Sequence, residues 1–378
     1  MKPVDVGSFP LHADEARYQS GASSIEMNPT VLDTDDAGFF IETHNDVFRR
    51  KAEALGPETA VVCYAQCRGM IDQFFEPIFR YVLGEPDKLH GKIVSQETAQ
   101  TVAMAIAEKR GHLPEKRANI AEIIALESGA EKLCKQLQTG RISYKACVTG
   151  PLELTLNFQR LLGFPRVYDD TLVEFFTEAV RAYVKNSHRN TKYLRAEIVT
   201  VDEPSIGLEG LADFFSDTGT DAKLNHLLSC WNRIFDQVPG NCYRGLHLHT
   251  SPFEQLFHSN WNLLEAHVGV YVKKEWLEDY DKSIRAALMR TDGPTIPKGT
   301  DLKAAWEEIR SGNYEKFLQP LNDMTEILSE YVEMYGLERV PFAGPECGLG
   351  PWDWPHGDTM ALRNLENIKR CIRDFGSK

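Results

Sequence analysis

Eight short apolar runs, six of them with β-branched residues, recur along the chain with helical stretches between them, and this alternation most narrows the choice of fold. The runs are "PVDVG" (3–7), "TAVVCYA" (59–65), "SYKACVTG" (143–150), "RAEIVTVDE" (195–203), "RGLHLH" (244–249), "HVGVYV" (267–272), "AALMR" (286–290) and "VPFAG" (340–344). Segments 118–138, 170–189 and 301–336 repeat apolar residues at three- and four-residue spacings, and the last closes on Gly336, a suitable C-cap. Strands alternating with helices suggest a parallel α/β fold. Two candidates remain: a closed (β/α)8 barrel with its helices outside, and an open doubly wound sheet. Eight strands favour the barrel. The polar segment 12–36 reads as a long loop inserted near the N-terminus. With no internal repeat or low-complexity tract, residues 1–378 read as one domain.

The balance of 42 basic against 55 acidic residues gives a net charge of −13, which argues against nucleic acid or an anionic membrane as partner. No apolar run approaches bilayer-spanning length, and "MKPVDVGSFPLHADEARYQ" lacks the basic-then-apolar order of a signal peptide. The expected location is the cytosol. The eight cysteines (63, 67, 134, 147, 230, 242, 347 and 371) form no CxxC pair, so most are expected reduced and buried.

In such a barrel the chemistry belongs at the C-terminal ends of the strands. Unusual residues collect there: "VGSFP", "YAQCRGM", "VTGPLELT", "VDEPSIG", "HLHTSP" and "AGPECGLG". His247 and His249 sit at i and i+2 and so share one face of a strand. Cys347 lies in a turn loosened by glycines. Two imidazoles and a thiol match a catalytic zinc site with three protein ligands and one open position, although an HxH pair also occurs in ordinary cores and surfaces. Asp202 and Glu203 end an apolar strand and face opposite ways. One of them reaches the mouth, or the pair serves as a helix N-cap or buried ion pair. Trp352 and Trp354 form either an aromatic wall for a flat ligand or packing beneath the C-terminal loop. His267, on an apolar run, reads as a core histidine, and Lys273 and Lys274 as a solvated surface pair.

The order "VGSFP", "VTGPLELT", "VDEPSIG", "HLH", "GPECGLG" resembles the catalytic C-terminal barrel of cobalamin-independent methionine synthase, especially its short core relatives, from Val4 to about Trp354. That resemblance implies a TIM barrel related to the tetrapyrrole decarboxylases. It also implies a zinc ion held by His247, His249 and Cys347, and catalytic roles for Asp202 and His247. Gly7 and Ser8 are then expected to hold the substrate carboxylate and Asp202 its ammonium group, with Gln66 and Trp352 lining the site. The expected activity is transfer of a methyl group to a small thiol, homocysteine first, from a methyl-corrinoid protein or a methyl-folate. The alternatives are a related alkyl-thiol transferase or carbon–sulfur lyase, a tetrapyrrole decarboxylase, or a barrel that binds a ligand or corrinoid without turnover.

Three departures stand out. The family's His-x-Cys is His247-Leu248-His249 here, which leaves a bound metal more positive. The family's glutamate ligand near the end of strand six falls at Tyr271 or Val272, so Tyr271, Glu275 or water is the expected fourth ligand. The acidic residue expected after strand two is also missing, since Tyr64 and Gln66 stand there.

Overall fold

The computed structural model describes residues 1–84, 94–108, 111, 113–206 and 220–377. Its strands are β1 (Lys2–Pro3), β2 (Val62–Cys63), β3 (Ile142–Thr149), β4 (Leu194–Asp202), β5 (Tyr243–His247), β6 (Leu263–Glu265), β7 (Ser283–Met289) and β8 (Phe342–Pro345). All pair in parallel, in the order β1-β8-β7-β6-β5-β4-β3-β2. The two end strands meet through the parallel bridges Val4↔Val61 and Ser8↔Gln66. Val61 N–H donates to Pro3 O at 2.9 Å and Gln66 N–H to Gly7 O at 3.3 Å, so the ring closes. This is the (β/α)8 TIM-barrel arrangement.

Twelve α-helices accompany the strands among the described residues. In chain order they are α1 (Glu15–Met27), α2 (Asp35–Leu55), α3 (Glu76–Val82), α4 (Gln96–Ala107), α5 (Ala121–Gln136), α6 (Pro151–Leu162), α7 (Asp170–Ser187), α8 (Thr220–Phe235), α9 (Lys274–Asp279), α10 (Leu302–Arg310), α11 (Leu321–Tyr335) and α12 (Gly357–Phe375). No described helix is long and apolar enough to cross a membrane.

Three sequence expectations need correction. The segment 12–36 is not a loop: it holds all of α1, capped by Asp14 accepting from Arg17 N, and the start of α2. The buried face of α1 is built partly from the small residues Gly21, Ala22 and Ser23, so the apolar stripe that marks most helices is weak. Gly21 is needed there, because a Cβ on it would lie 2.2 Å from Asp36 O of α2. The helical stretch 301–336 is two helices, broken at Gly312 (φ 88°) and restarted after Pro320. Strand six is residues 263–265, not 267–272.

The ring's narrowest seam, β1 to β2, is braced from outside by Lys51 of α2. Its ammonium lies 2.6 Å from Asp5 Oδ2 and donates to Cys63 O (3.0 Å) and Gly7 O (3.2 Å). Asp5 Oδ1 accepts from Cys63 N–H at 2.6 Å. Lower in the barrel, Val4, Val61, Ile198, Leu263 and Phe342 pack into one apolar cluster. Next to it come buried polar groups, Lys145, Thr200, Glu265 and Arg285. Above this apolar layer the barrel interior is ionic toward the C-terminal ends of the strands.

Candidate metal centre

Strand register sets the site. Asp202 pairs with His247, His247 with Glu265, and Glu265 with Arg285, so four neighbouring strands carry polar side chains at one level. Register partners in parallel strands point to the same side of the sheet, and residues two apart share that side. His249 therefore follows His247 inward, and His267 follows Glu265. Cys347 comes in from the turn just after β8.

One donor atom from each of His247, His249, His267 and Cys347 lies within 4.8 Å of the others. Cys347 Sγ is 3.7 Å from His249 Nε2. The imidazole centroids are 5.2 Å apart for His247 and His249, 5.8 Å for His247 and His267, and 4.0 Å for His249 and His267. Around a tetrahedral zinc with bonds of about 2.0–2.3 Å, neighbouring ligand atoms stand about 3.3–3.7 Å apart. The cluster is close to that size.

Two further observations show that these residues fit such an ion. Both ring nitrogens of His247 and Nε2 of His267 are buried without a hydrogen-bond partner, a rare condition for polar atoms unless something else binds them. The protonation states also suit a cation. Burial, helped by Arg285 and His249, holds His247 well below its ordinary range. Burial and the neighbouring His267 lower His249 to about 4, and burial with Arg285 and Arg290 lowers His267 to about 4. All three rings are neutral at pH 7, the form that ligates metal. The Cys347 thiol is pushed up to about 11 by burial and by Asp202. It keeps its proton until a cation displaces it.

Carboxylates surround this cluster. Asp202 Oδ1 is 4.0 Å from His247 Nε2. The side chain is 32% exposed at the mouth, yet Oδ1 itself is buried and unpaired. Burial and Glu153 push the Asp202 carboxyl up to about 7. Glu265 Oε2 is 3.8 Å from His247 Nδ1 and pairs with Lys145, while Oε1 accepts from Thr200 Oγ1 at 3.0 Å. Burial alone would raise the Glu265 carboxyl, but Lys145 and Arg285 outweigh it and hold it below the ordinary range. Glu346 Oε2 is 3.8 Å from His267 Nδ1, and this carboxylate accepts from Val268 N–H (3.0 Å) and Thr291 N–H (2.9 Å).

The other residues marked in the sequence divide. Gly7 takes φ 131°, and a Cβ there would come within 2.6 Å of Gln66 Oε1. Ser8 Oγ accepts from Gly350 N–H at 3.1 Å, so the first and last strand ends meet beside Cys347. Gln66 Nε2 donates to Tyr64 OH (2.8 Å) and Cys147 O (3.1 Å). Trp352 is only 1% exposed and donates its indole N–H to Thr291 O at 2.9 Å, so it is packing and offers no surface to a ligand. Glu203 accepts from Leu152 N–H (3.1 Å), Glu153 N–H (2.8 Å) and Trp231 Nε1 (3.0 Å), which makes it the carboxylate at the N-terminus of α6. Gly150 lets it approach, since a Cβ there would lie 2.2 Å from Glu203 Cδ.

Tyr271, bonded to Glu330 at 2.9 Å, and the exposed Glu275 on α9 stand outside the cluster. The fourth group in it is His267, which the sequence reading had placed in the core, and the acidic residue ending strand six is Glu265. The signal was present in "LLEAHVG", where Glu265 and His267 repeat the i, i+2 spacing of His247 and His249. Among the described residues one other trio, Glu174, His226 and Cys230, has similar spacing. There Arg233 already occupies both carboxylate oxygens of Glu174 at 2.7 and 2.5 Å and donates to Cys230 Sγ at 3.3 Å, so a cation is built in.

No protein-family model matches the chain, and no curated protein matches it. Solved structures do. A B12-independent methionine synthase from Shewanella sp. W3-18-1, in complex with selenomethionine, superposes with a TM-score of 0.54 at 15% identity, over 100% of this chain and 98% of that one. A candidate vitamin-B12-independent methionine synthase from Listeria monocytogenes gives 0.51 at 12% identity, over 99% and 98%. The fold is that of these methionine synthase-like proteins. At such identities the likeness concerns the fold alone.

Proposed function

We propose that the chain is a zinc-dependent methyltransferase acting on a small thiol, with homocysteine, converted to methionine, as the leading acceptor. The observation that carries this reading is the convergence of three neutral imidazoles and one thiol at the barrel mouth, with buried ring nitrogens left unpaired. His247, His249, Cys347 and His267 would hold the ion, which would expand to five donors or release one of these ligands to admit a substrate sulfur. When bound, zinc supplies acidity to a substrate sulfur, which it holds as thiolate at neutral pH.

The chain's own residues handle the rest of the substrate. Asp202 is open for a third of its surface, and its unpaired oxygen beside His247 suits an ammonium group. Ser8 accepts from Gly350 N–H and keeps its hydroxyl proton to donate to a carboxylate. Gln66 is anchored on Tyr64 and Cys147 and shapes the wall next to Gly7. The selenomethionine in the Shewanella protein, the selenium analogue of the proposed product, supports an amino-acid thiol. The methyl donor is read as a methyl-corrinoid protein or a methyl-folate, and the protein as cytosolic.

The test is metal analysis of purified and zinc-supplemented protein, followed by incubation with homocysteine and a panel of methyl donors. One zinc per chain and methionine formation are expected. A protein that takes up no metal, or that holds zinc and methylates the thiol with none of the donors, ends the proposal.

A further inference from the structure

Arg285 has entered so far only through its register and its charge, yet it is among the largest fully buried side chains. It stands on β7, between the strands that supply His247 and Cys347. One guanidinium nitrogen donates to Pro345 O and another to Glu346 O at 2.9 Å, the two carbonyls that lead into Cys347. Its Nε lies 3.8 Å from Glu265 Oε2, the oxygen that Lys145 also holds and that faces His247 Nδ1 at 3.8 Å. One planar cation thus touches the backbone on the thiol side and the carboxylate on the imidazole side.

From this geometry we infer that the buried triad Lys145–Glu265–Arg285 is a positioning device for the metal centre. Arg285 fixes the turn that presents Cys347, and Glu265 orients His247 and selects its tautomer. The inference rests on the metal-binding reading above. A carboxylate behind a metal-bound imidazole accepts a hydrogen bond from the ring N–H that does not ligate, which sets the tautomer and raises the basicity of the other nitrogen. Glu265 is suited to that task because Lys145 and Thr200 hold its two oxygens by hydrogen bonds while Arg285 lies within ion-pair range. At 3.8 Å the contact is too long for a hydrogen bond, and a bound ion that draws the ring into place is expected to shorten it. Arginine is needed at 285 for its shape. Its flat fork reaches two successive carbonyls at once, which a lysine ammonium cannot do in the same plane.

The test uses Co2+ as a coloured stand-in for zinc, titrated into the full chain with a competing chelator. Wild type should bind one ion with a near-ultraviolet thiolate-to-cobalt band. Arg285→Lys keeps the charge but loses the fork. It should bind about 10–100-fold more weakly, the usual effect of removing an outer-shell partner, with the thiolate band diminished. Glu265→Gln should weaken binding over the same range with the thiolate band retained. If either single variant melts at room temperature, the double variant Lys145→Met/Glu265→Gln, which removes the paired charges together, replaces it and should show the Glu265→Gln behaviour. Folded variants that match wild type in affinity and spectrum overturn the positioning role. A wild-type protein that binds no Co2+ instead refutes the metal centre itself, and with it any role in positioning one.

Discussion

Metal uptake by this site should release one proton near neutral pH, and the proton should come from Cys347. The imidazoles of His249 and His267 titrate at about 4, and burial holds His247 well below its ordinary range, so all three are already bare at pH 7. The Cys347 thiol, pushed up to about 11, is still protonated there. A ligand that must lose a proton to bind makes affinity rise tenfold per pH unit while the pH stays below its pKa. A ligand that is already bare contributes no slope until the pH falls to its own pKa. From pH about 6 to 8 the affinity for zinc should therefore rise about 100-fold, or about 2.7 kcal/mol. Below pH about 4 the histidines add their own protons and the curve steepens. Three histidines with the ordinary pKa of about 6.5 would steepen it two units higher. The assay is competition against a chromophoric chelator at several pH values. It is best run in an Asp202→Asn background, which silences the carboxyl that titrates at about 7. Cys347→Ala should flatten the dependence. A wild-type slope near zero means that the thiolate is preformed. A slope above two near pH 6 means that the imidazoles are not held neutral by their surroundings. Either result refutes the reasoning.

Three other outcomes are expected. Asp202→Asn should weaken homocysteine binding about 10–100-fold, the loss of a charge-assisted contact worth about 1.5–3 kcal/mol, with zinc content unchanged; calorimetry that finds equal affinity removes homocysteine from the lead. Gly150→Ala should cost about 2–4 kcal/mol in urea unfolding, because the new Cβ displaces Glu203 from the N–H groups of Leu152 and Glu153; a loss below about 0.5 kcal/mol contradicts that packing. Lys51→Met should cost about 3–5 kcal/mol by stranding the buried Asp5 carboxylate, and adding Asp5→Asn should recover part of it. If the double variant is no more stable than the single one, the ion pair is not the brace of the β1–β2 seam.

The barrel was legible because seven of the eight strands lie close to short apolar runs that stand out in the sequence, most of them carrying β-branched residues. The eighth did not. Strand six is the three residues "LLE", too short to show alternation, whereas "HVGVYV" just after it carries the β-branched residues and was read in its place. That displacement hid two residues. Once the strand ends at Glu265, His267 falls on the inward face, and Glu265 becomes the acidic residue that the sequence had seemed to lack. The pair His247 and His249 was readable because alternation within a strand is local. The approach of Cys347, Arg285 and Lys145 was not, since it depends on register across strands far apart in the chain. Trp352 illustrates the opposite difficulty: a tryptophan beside a glycine-rich turn suggests a ligand wall, and only its bond to Thr291 O reveals packing.

The contact between Ser8 and Gly350 joins positions 342 apart in the sequence, and this has a bearing on synthesis. A ribosome releases the three histidines well before the turn that contains Cys347, a delay of several seconds at about 5–20 residues per second. During that interval the nascent chain carries imidazoles without their thiol, in a sheet whose last strand has not arrived to lie against the first. An all-nitrogen pocket favours copper or nickel more than one with a thiolate does. Closure of the ring therefore brings the thiol to the imidazoles only after the last strand is made, and a premature stop before β8 removes both the sulfur and the completed barrel.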